Sequence, residues 1–299
     1  MKTWRGFEVK IIINCFRNFK YDVNSIAMLQ YEHEREEAFI GEGSYGSVYS
    51  CQSLGKNFAL KKFHNREDST FIHESMMAIK TNGLNHVVQV KKSFISGENG
   101  YLLMEYCISD LFACISEKEF SESEALEIFY IICEAVAELH SRNIAHLDLK
   151  LENILLNPGG KWKLCDFGSA CTFKKGDFKF SHRKIGTPGY SPPEIMEKKS
   201  FLPEKADSWS LGIILHALLL QCFPYLDSAV PSASSFSLNF LYFSQISASS
   251  KVLVMQLLSI DPHKRPSATE ILRRNKTSII ERKESKCQRI VKSILKKAP

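Results

Sequence analysis

His146-Leu147-Asp148-Leu149-Lys150-Leu151-Glu152-Asn153, with Asp166-Phe167-Gly168 downstream, constrains this chain more than any other stretch. It sets a carboxylate at Asp148, a cation at Lys150, an amide at Asn153 and a second carboxylate at Asp166. Carboxylate and amide oxygens are hard donors of the kind Mg²⁺ prefers. Taken singly, each could be a solvated loop residue. The ordered set argues otherwise: D-x-K-x-x-N, then apolar Ile154-Leu155-Leu156, a turn at Asn157-Pro158-Gly159-Gly160, a strand from Trp162 to Cys165, and D-F-G.

Upstream, Gly41-Glu42-Gly43-Ser44-Tyr45-Gly46 fits G-x-G-x-x-G. That spacing also serves dinucleotide folds, where a helix follows the glycines. Here Ser47-Val48-Tyr49-Ser50-Cys51 reads as a strand. Glycines in a hairpin turn let backbone N–H groups approach phosphates with no Cβ in the way. Ala59-Leu60-Lys61 falls where a following strand belongs, so Ala59 and Lys61 share a face and Lys62 points away. The small Ala59 leaves room for a purine, and Lys61 can reach the phosphates.

The 299 residues allow one large domain or two lobes. The net charge of +6 is mild, and no nucleic-acid partner is expected. No stretch approaches the ~20 apolar residues of a spanning helix; the longest, Leu211 to Leu220, is broken by His216. Lys2 and Arg5 are followed by Glu8 and Lys10, a poor secretory signal. Nine cysteines, odd in number and without a C-x-x-C pair, suit free thiols. An intracellular protein, cytoplasmic or nuclear, is expected.

β-like runs at Ala38–Ile40, Val48–Ser50 and Phe58–Leu60 are followed by a helix from Ser69 or Thr70 to about Lys80, stopped by Asn82-Gly83. His86–Lys91 and Gly100–Tyr106 read as further strands. Beyond Cys107 the pattern turns helical. Ser121-Glu122-Ser123-Glu124 opens a helix carrying Ala125, Phe129, Ile132, Val136 and Leu139 at helical spacing. Helices are also expected over Ala206–Leu220 and Lys251–Leu258, and after Asp261-Pro262. Lys10–Asn14 could add a strand, and Ser-rich 228–250 reads as a surface loop. The tail after Lys276 is basic with apolar Ile290, Val291, Ile294 and Leu295; it fits either a solvated terminus or a helix for a membrane or acidic partner.

Together these motifs resemble the protein-kinase family, serine/threonine branch, over about Phe39 to Leu272. One departure stands out: the family's usual Arg before the catalytic Asp is Leu147 here. The resemblance implies an α+β bilobal fold, with a β-rich upper lobe and a mainly helical lower lobe. Its divisions are an extension over 1–36, the upper lobe over 37–107, the lower lobe over 108–275 and the basic tail over 276–299. ATP with Mg²⁺ is the implied cofactor set and a protein the implied substrate. Asp148 would orient the substrate hydroxyl and Lys150 offset charge on the transferred group. Asn153 and Asp166 would hold the metal.

The resemblance further assigns nucleotide contacts to Ile40, Gly41, Glu42, Gly43, Ser44, Tyr45, Gly46, Ser47, Val48, Ala59, Lys61 and Leu155. Backbone groups of Glu105 and Cys107 would meet the adenine edge, with Met104 behind it. Glu74 would pair with Lys61, with Glu67 and Asp68 as competing carboxylates. Gly186-Thr187-Pro188-Gly189-Tyr190-Ser191-Pro192-Pro193-Glu194 resembles the end of an activation segment, Glu194 pairing with Arg265. Asp207 would accept hydrogen bonds from the catalytic-loop backbone. Cys165 is either a reactive thiol facing the nucleotide or a buried inert one. The implied activity is ATP-dependent serine/threonine phosphorylation; the alternative is a pseudokinase scaffold.

Overall fold

The computed structural model describes residues 38–43, 46–53, 55–64, 69–180, 185–224 and 243–275. Expectations placed on 1–36, Ser44, Tyr45, Glu67, Asp68, most of 228–250 and the tail from 276 lie outside those residues. The chain divides into two compact units. One holds the residues up to Gly83 together with Val87–Cys107; the other holds Leu84–His86 together with the chain from Ile108.

The N-terminal unit is a five-stranded antiparallel sheet with one helix. Strands β1 (Ala38–Gly43), β2 (Gly46–Ser53), β3 (Lys56–Phe63), β4 (Val90–Ser96) and β5 (Asn99–Glu105) lie in the order β1-β2-β3-β5-β4. Helix α1 (Ser69–Thr81) puts Phe71 against Phe63 and Leu102 on one sheet face. Gly100 makes this approach possible, because a Cβ there would lie 2.6 Å from the Phe71 ring. Ser69 is the first helical residue rather than the cap. The expected strand at His86 starts later, at Val90. Leu84–His86 belongs instead to the other unit, where the His86 carbonyl accepts the Leu164 N–H at 2.8 Å.

The C-terminal unit is built on helices α2 (Leu111–Glu117), α3 (Glu122–Ser141), α4 (Pro193–Met196), α5 (Pro203–Leu220), α6 (Ala248–Leu257) and α7 (Ala268–Arg274). Short strands β6 (Ser109–Asp110), β7 (Ile144–Ala145), β8 (Ile154–Leu156), β9 (Trp162–Leu164) and β10 (Cys171–Thr172) carry the loops. Strands β6, β8 and β9 form one small sheet, and β7 pairs with β10. Ser121 and Glu124 close a reciprocal capping box on α3.

Helix α5 is buried on nearly every side, as an all-round apolar sequence requires. It packs against α3 and α6. It starts at Pro203, a residue suited to the first turn because it has no N–H to satisfy. That is earlier than the expected Ala206. Helix α6 also starts earlier, because the Ser247 side chain caps it. Asp261-Pro262 opens only a single 3₁₀ turn (Pro262–Lys264). The last helix begins at Ala268, where Ser267 and Glu270 make a second capping box.

No helix among the described residues is long and apolar enough to cross a membrane. Cys51, Cys107, Cys114, Cys133, Cys165, Cys171 and Cys222 are free thiols.

Candidate active site

In the N-terminal unit the glycine motif lies on a β-hairpin, with Gly41 opposite Val48, Glu42 opposite Ser47 and Gly43 opposite Gly46. A helix after the glycines, as a dinucleotide site requires, is absent among the described residues. A Cβ on Gly41 would meet nothing within 4 Å, so the backbone there stands open to a ligand. A Cβ on Gly46 would run into the Lys62 carbonyl of β3, so that glycine serves the sheet. Ile40 is exposed, Ser47 buried and Val48 half-buried.

Strand β3 carries Ala59 half-buried and Lys61 buried on the face it shares with Phe63. The Lys61 ammonium lies 2.7 Å from Glu74 Oε1 and 2.9 Å from Oε2. Each side chain of the pair is 5% exposed. At the end of β5 the Glu105 N–H donates to the Gln89 carbonyl at 3.0 Å, so an adenine contact at Glu105 falls to its carbonyl. Met104 and Cys107 are half-buried.

In the C-terminal unit the loop after β7 is held by Asp207 of α5. Its Oδ2 accepts the His146 N–H at 2.9 Å and its Oδ1 accepts the Leu147 N–H at 2.8 Å. Leu147 takes a left-handed backbone, φ 63°. For a residue other than glycine this costs on the order of 1–3 kcal/mol and persists only where the surroundings fix it. Its side chain is the other restraint, buried in an apolar cluster with Ala145, Phe173, Phe201 and Ala206. Cys171, Ile185 and Ile195 pack against the same cluster.

Asp148 follows, 8% exposed. The Thr187 hydroxyl donates to its Oδ1 at 2.7 Å. Lys150 Nζ donates to the same hydroxyl at 3.1 Å and lies 3.4 Å from Asp148 Oδ2. Gly186 permits this approach, with φ 73° and the Leu147 carbonyl 2.9 Å from where a Cβ would sit. Asn153, on a 3₁₀ turn (Leu151–Asn153), donates its amide to the Asp148 carbonyl at 2.9 Å, so its oxygen is the atom it can offer a metal. Asp166 has φ 62° and accepts the Gly168 N–H at 3.3 Å. Between these two, the His146 ring bonds the Cys165 carbonyl at 2.9 Å and packs 5.0 Å from the Phe167 ring. The Cys165 thiol is half-buried. On β8, Leu155 is half-buried between buried Ile154 and Leu156.

The donor set fits Mg²⁺. One amide oxygen and one carboxylate are too few for an all-protein cage, and no cluster of three acidic, His or Cys ligands occurs among the described residues. Mg²⁺ is commonly held this way, by one or two carboxylates together with substrate phosphates.

The segment that carries Thr187 is tied down at its far end. Arg265, buried to 1%, forks onto Glu194 at 2.6 and 2.9 Å. Its guanidinium also donates to the Ser259, Lys205 and Ile260 carbonyls and stacks over Trp209 at 4.9 Å. The Tyr190 hydroxyl donates to Glu152 at 3.4 Å. Burial and then the Glu152 charge push its phenol pKa well up. Burial and then Asp207 raise the Cys171 thiol to about 11, too high for a thiolate nucleophile at neutral pH.

Two roles were not read from the sequence. His146 links the two motif loops, and His140 reaches Asp207. The available signal for His140 was a polar residue one helical turn beyond Val136, on the buried stripe of α3 and just ahead of the loop.

Comparison with known proteins agrees with this geometry. A family model described as "Protein kinase domain" matches residues 34–275. The chain is 30% identical to CBL-interacting serine/threonine-protein kinase 5 of Arabidopsis thaliana, over 78% of this chain and 55% of that protein. It is 33% identical to human NUAK family SNF1-like kinase 2, over 66% of this chain and 32% of that one. It is 34% identical to mouse serine/threonine-protein kinase Nek3, over 78% and 47%. The chain thus spans between about a third and about half of the length of these relatives.

Proposed function

The chain belongs to the protein kinase domain family, and on that premise we propose that it transfers the γ-phosphoryl group of ATP to serine or threonine hydroxyls of proteins. The observation that carries the reading is the short-range set of Asp148, Lys150 and Thr187. A carboxylate so placed can take the hydrogen bond, and then the proton, of an incoming hydroxyl. The adjacent ammonium offsets charge that grows on the transferred phosphoryl. Lys150 and Thr187 at these positions resemble the serine/threonine branch, and two of the relatives are named serine/threonine-protein kinases.

The remaining groups have roles in the same reading. Lys61, held by Glu74, binds the α and β phosphates. The hairpin Gly41–Gly46, flanked by Ile40, Ser47 and Val48, covers the nucleotide. Ala59, Leu155 and the backbone at Glu105 and Cys107 take the adenine. Asn153 and Asp166 bind Mg²⁺, which when present neutralises phosphate charge. Glu152, exposed, favours a basic residue in the substrate. Free thiols support a reducing, intracellular setting.

Single-turnover ATP consumption, measured with and without a panel of protein substrates, tests this. Phosphate appearing on protein Ser or Thr, dependent on Mg²⁺, is expected. Nucleotide binding with no transfer to protein or water would favour a scaffold that signals by docking. Transfer to small molecules alone would place the chain in a different phosphotransferase class.

A further inference from the structure

Helix α6 carries apolar residues on two faces. Val254 and Leu257 are buried. Val252 and Met255 face outward, 53% and 49% exposed. Val252, Met255, Gln256 and Ser259 recur at i, i+3, i+4 and i+7, the spacing of one helix stripe. With Lys264, from the 3₁₀ turn that follows, they line a groove of about 280 Å³. That is below the ~300–1,000 Å³ of small-molecule sites and suits one or two aliphatic side chains. Apolar residues scattered singly over a surface need no explanation, but two that wall one groove invite an occupant.

Helix α7 ends beside this groove. The guanidinium of Arg274, its last residue, donates to Gln256 Oε1 at 3.1 Å. Past Asn275 the sequence continues Lys276-Thr277-Ser278-Ile279-Ile280-Glu281. Extended chain from Asn275 to Ile279 covers roughly 13 Å. The stripe from Val252 to Ser259 is shorter, roughly 10 Å at helical rise. Ile279 and Ile280 thus come within reach of all of it. Glu281 follows them directly, and Lys264 is exposed on the groove wall.

We propose that Ile279 and Ile280 dock on the Val252–Met255 stripe with Glu281 beside Lys264, so that the chain leaving α7 folds back onto its own unit. The exit point, the apolar pair and the acid that follows it all select this occupant. A segment on so short a tether meets its site at an effective concentration in the millimolar range. A separate protein or a second copy at micromolar concentration would need contacts on the order of a thousand-fold tighter to displace it.

None of this requires phosphoryl transfer, and the test needs no activity. In the full chain, oxidation of Met255 to the sulfoxide by dilute hydrogen peroxide is timed by mass spectrometry. A docked segment shields the thioether, so Ile279→Glu together with Ile280→Glu should speed oxidation at least ~5-fold. Both positions follow the last helix, so the packed helices keep their sequence. Lys264→Glu and Glu281→Lys should each speed oxidation about 2-fold, the scale of one exposed ion pair, and the two together should return the wild-type rate. Dilution by about 100-fold should change nothing, as an intramolecular contact requires.

Equal Met255 oxidation in the wild type and the double glutamate variant would overturn the proposal. Fast oxidation in both leaves the stripe bare, and slow oxidation in both assigns the cover to another segment or partner. Protection that is lost on dilution would overturn it in favour of a second copy. Failure of the charge swap to restore the rate would overturn the register that sets Glu281 beside Lys264.

Discussion

The Thr187 hydroxyl donates to Asp148 Oδ1 at 2.7 Å while accepting from Lys150 at 3.1 Å, so one side chain of the 186–194 segment sits between the acid and the cation of the 146–153 loop. A substrate hydroxyl that approaches Asp148 must share that carboxylate with Thr187. Asp148→Asn keeps the shape and removes the proton acceptor. It should lower kcat by at least ~100-fold, the lower end of general acid–base effects. ATP binding should persist, whereas Asp166→Asn should weaken binding that depends on Mg²⁺. Steady-state kinetics with nucleotide titration check both, and full activity in either variant would remove the assignment.

Lys61 and Glu74 form a bidentate, buried pair. Breaking a buried bidentate pair by removing one member costs roughly 3–5 kcal/mol. Lys61→Met should abolish transfer and also lower the melting temperature. Lys61→Arg should fail as well, because a bulkier planar guanidinium cannot replace the compact point charge of the ammonium in the same buried space. Glu74→Gln should behave like Lys61→Met in kinetics. Wild-type turnover in Glu74→Gln, read in the same assay, would exclude the pair from catalysis.

Arg265 and Glu194 make the same argument for a longer-range tie. Arg265 uses its guanidinium on one carboxylate and three carbonyls and stacks on Trp209. Lysine can supply neither the fork nor the stack. Arg265→Lys should therefore destabilise the fold by at least ~2 kcal/mol, in the range for breaking a buried charged hydrogen-bond network. Chemical denaturation measures it; a loss under about 0.5 kcal/mol, the scale of ordinary surface changes, would show the tie is dispensable.

His216 gives a pH dependence with a definite sign. It is 1% exposed, with Nδ1 bonded to the Cys222 carbonyl at 2.8 Å. Burial lowers its pKa below the usual 6.5, outweighing the carbonyl contact that raises it. The unfolded chain therefore takes up the proton first as pH falls. The contribution to stability is complete above about 6.5 and is lost progressively below it. Denaturation midpoints from pH 7.5 to 5.5 should fall less steeply in His216→Asn than in the wild type. Equal slopes would show that His216 titrates alike in both states.

Much of this arrangement was legible because it is local. Side-chain alternation on β3 was enough to choose Lys61 over Lys62, and the apolar spacing in α3 marked its buried face. What escaped depends on residues far apart in sequence. His140 and Asp207 are 67 positions apart, and nothing local to either names the other. The start of β4 was misplaced for a similar reason. His86 lies in a turn whose carbonyl accepts from Leu164 of the C-terminal unit, and periodicity cannot say which neighbour such a segment joins. The missed start of α7 was a local error: the Ser267–Glu270 box was present in the sequence, and Asp261-Pro262 drew the reading away from it.

Leu147 makes the last prediction. In family members with Arg at this place, the guanidinium helps bind a phosphate on the activation segment, since planar bidentate bonds match phosphate oxygens. Here the position holds an apolar side chain, 5% exposed, packed with Phe173, Phe201, Ala145 and Ala206. Cys171 and Ile185, from both ends of the intervening segment, join the same cluster. Apolar burial thus anchors this segment where a phosphate would otherwise do so, at roughly 1.5–3 kcal/mol for each large side chain fully buried. The unphosphorylated protein should already be active. Phosphatase treatment, Thr172→Ala and Ser181→Ala should each leave most of the activity. Leu147→Ala should lower both stability and kcat by opening the cluster, with about 2–5 kcal/mol lost in denaturation. A drop of more than ~10-fold in activity on dephosphorylation, equivalent to ~1.4 kcal/mol of barrier, would show that phosphate rather than the Leu147 cluster sets the segment.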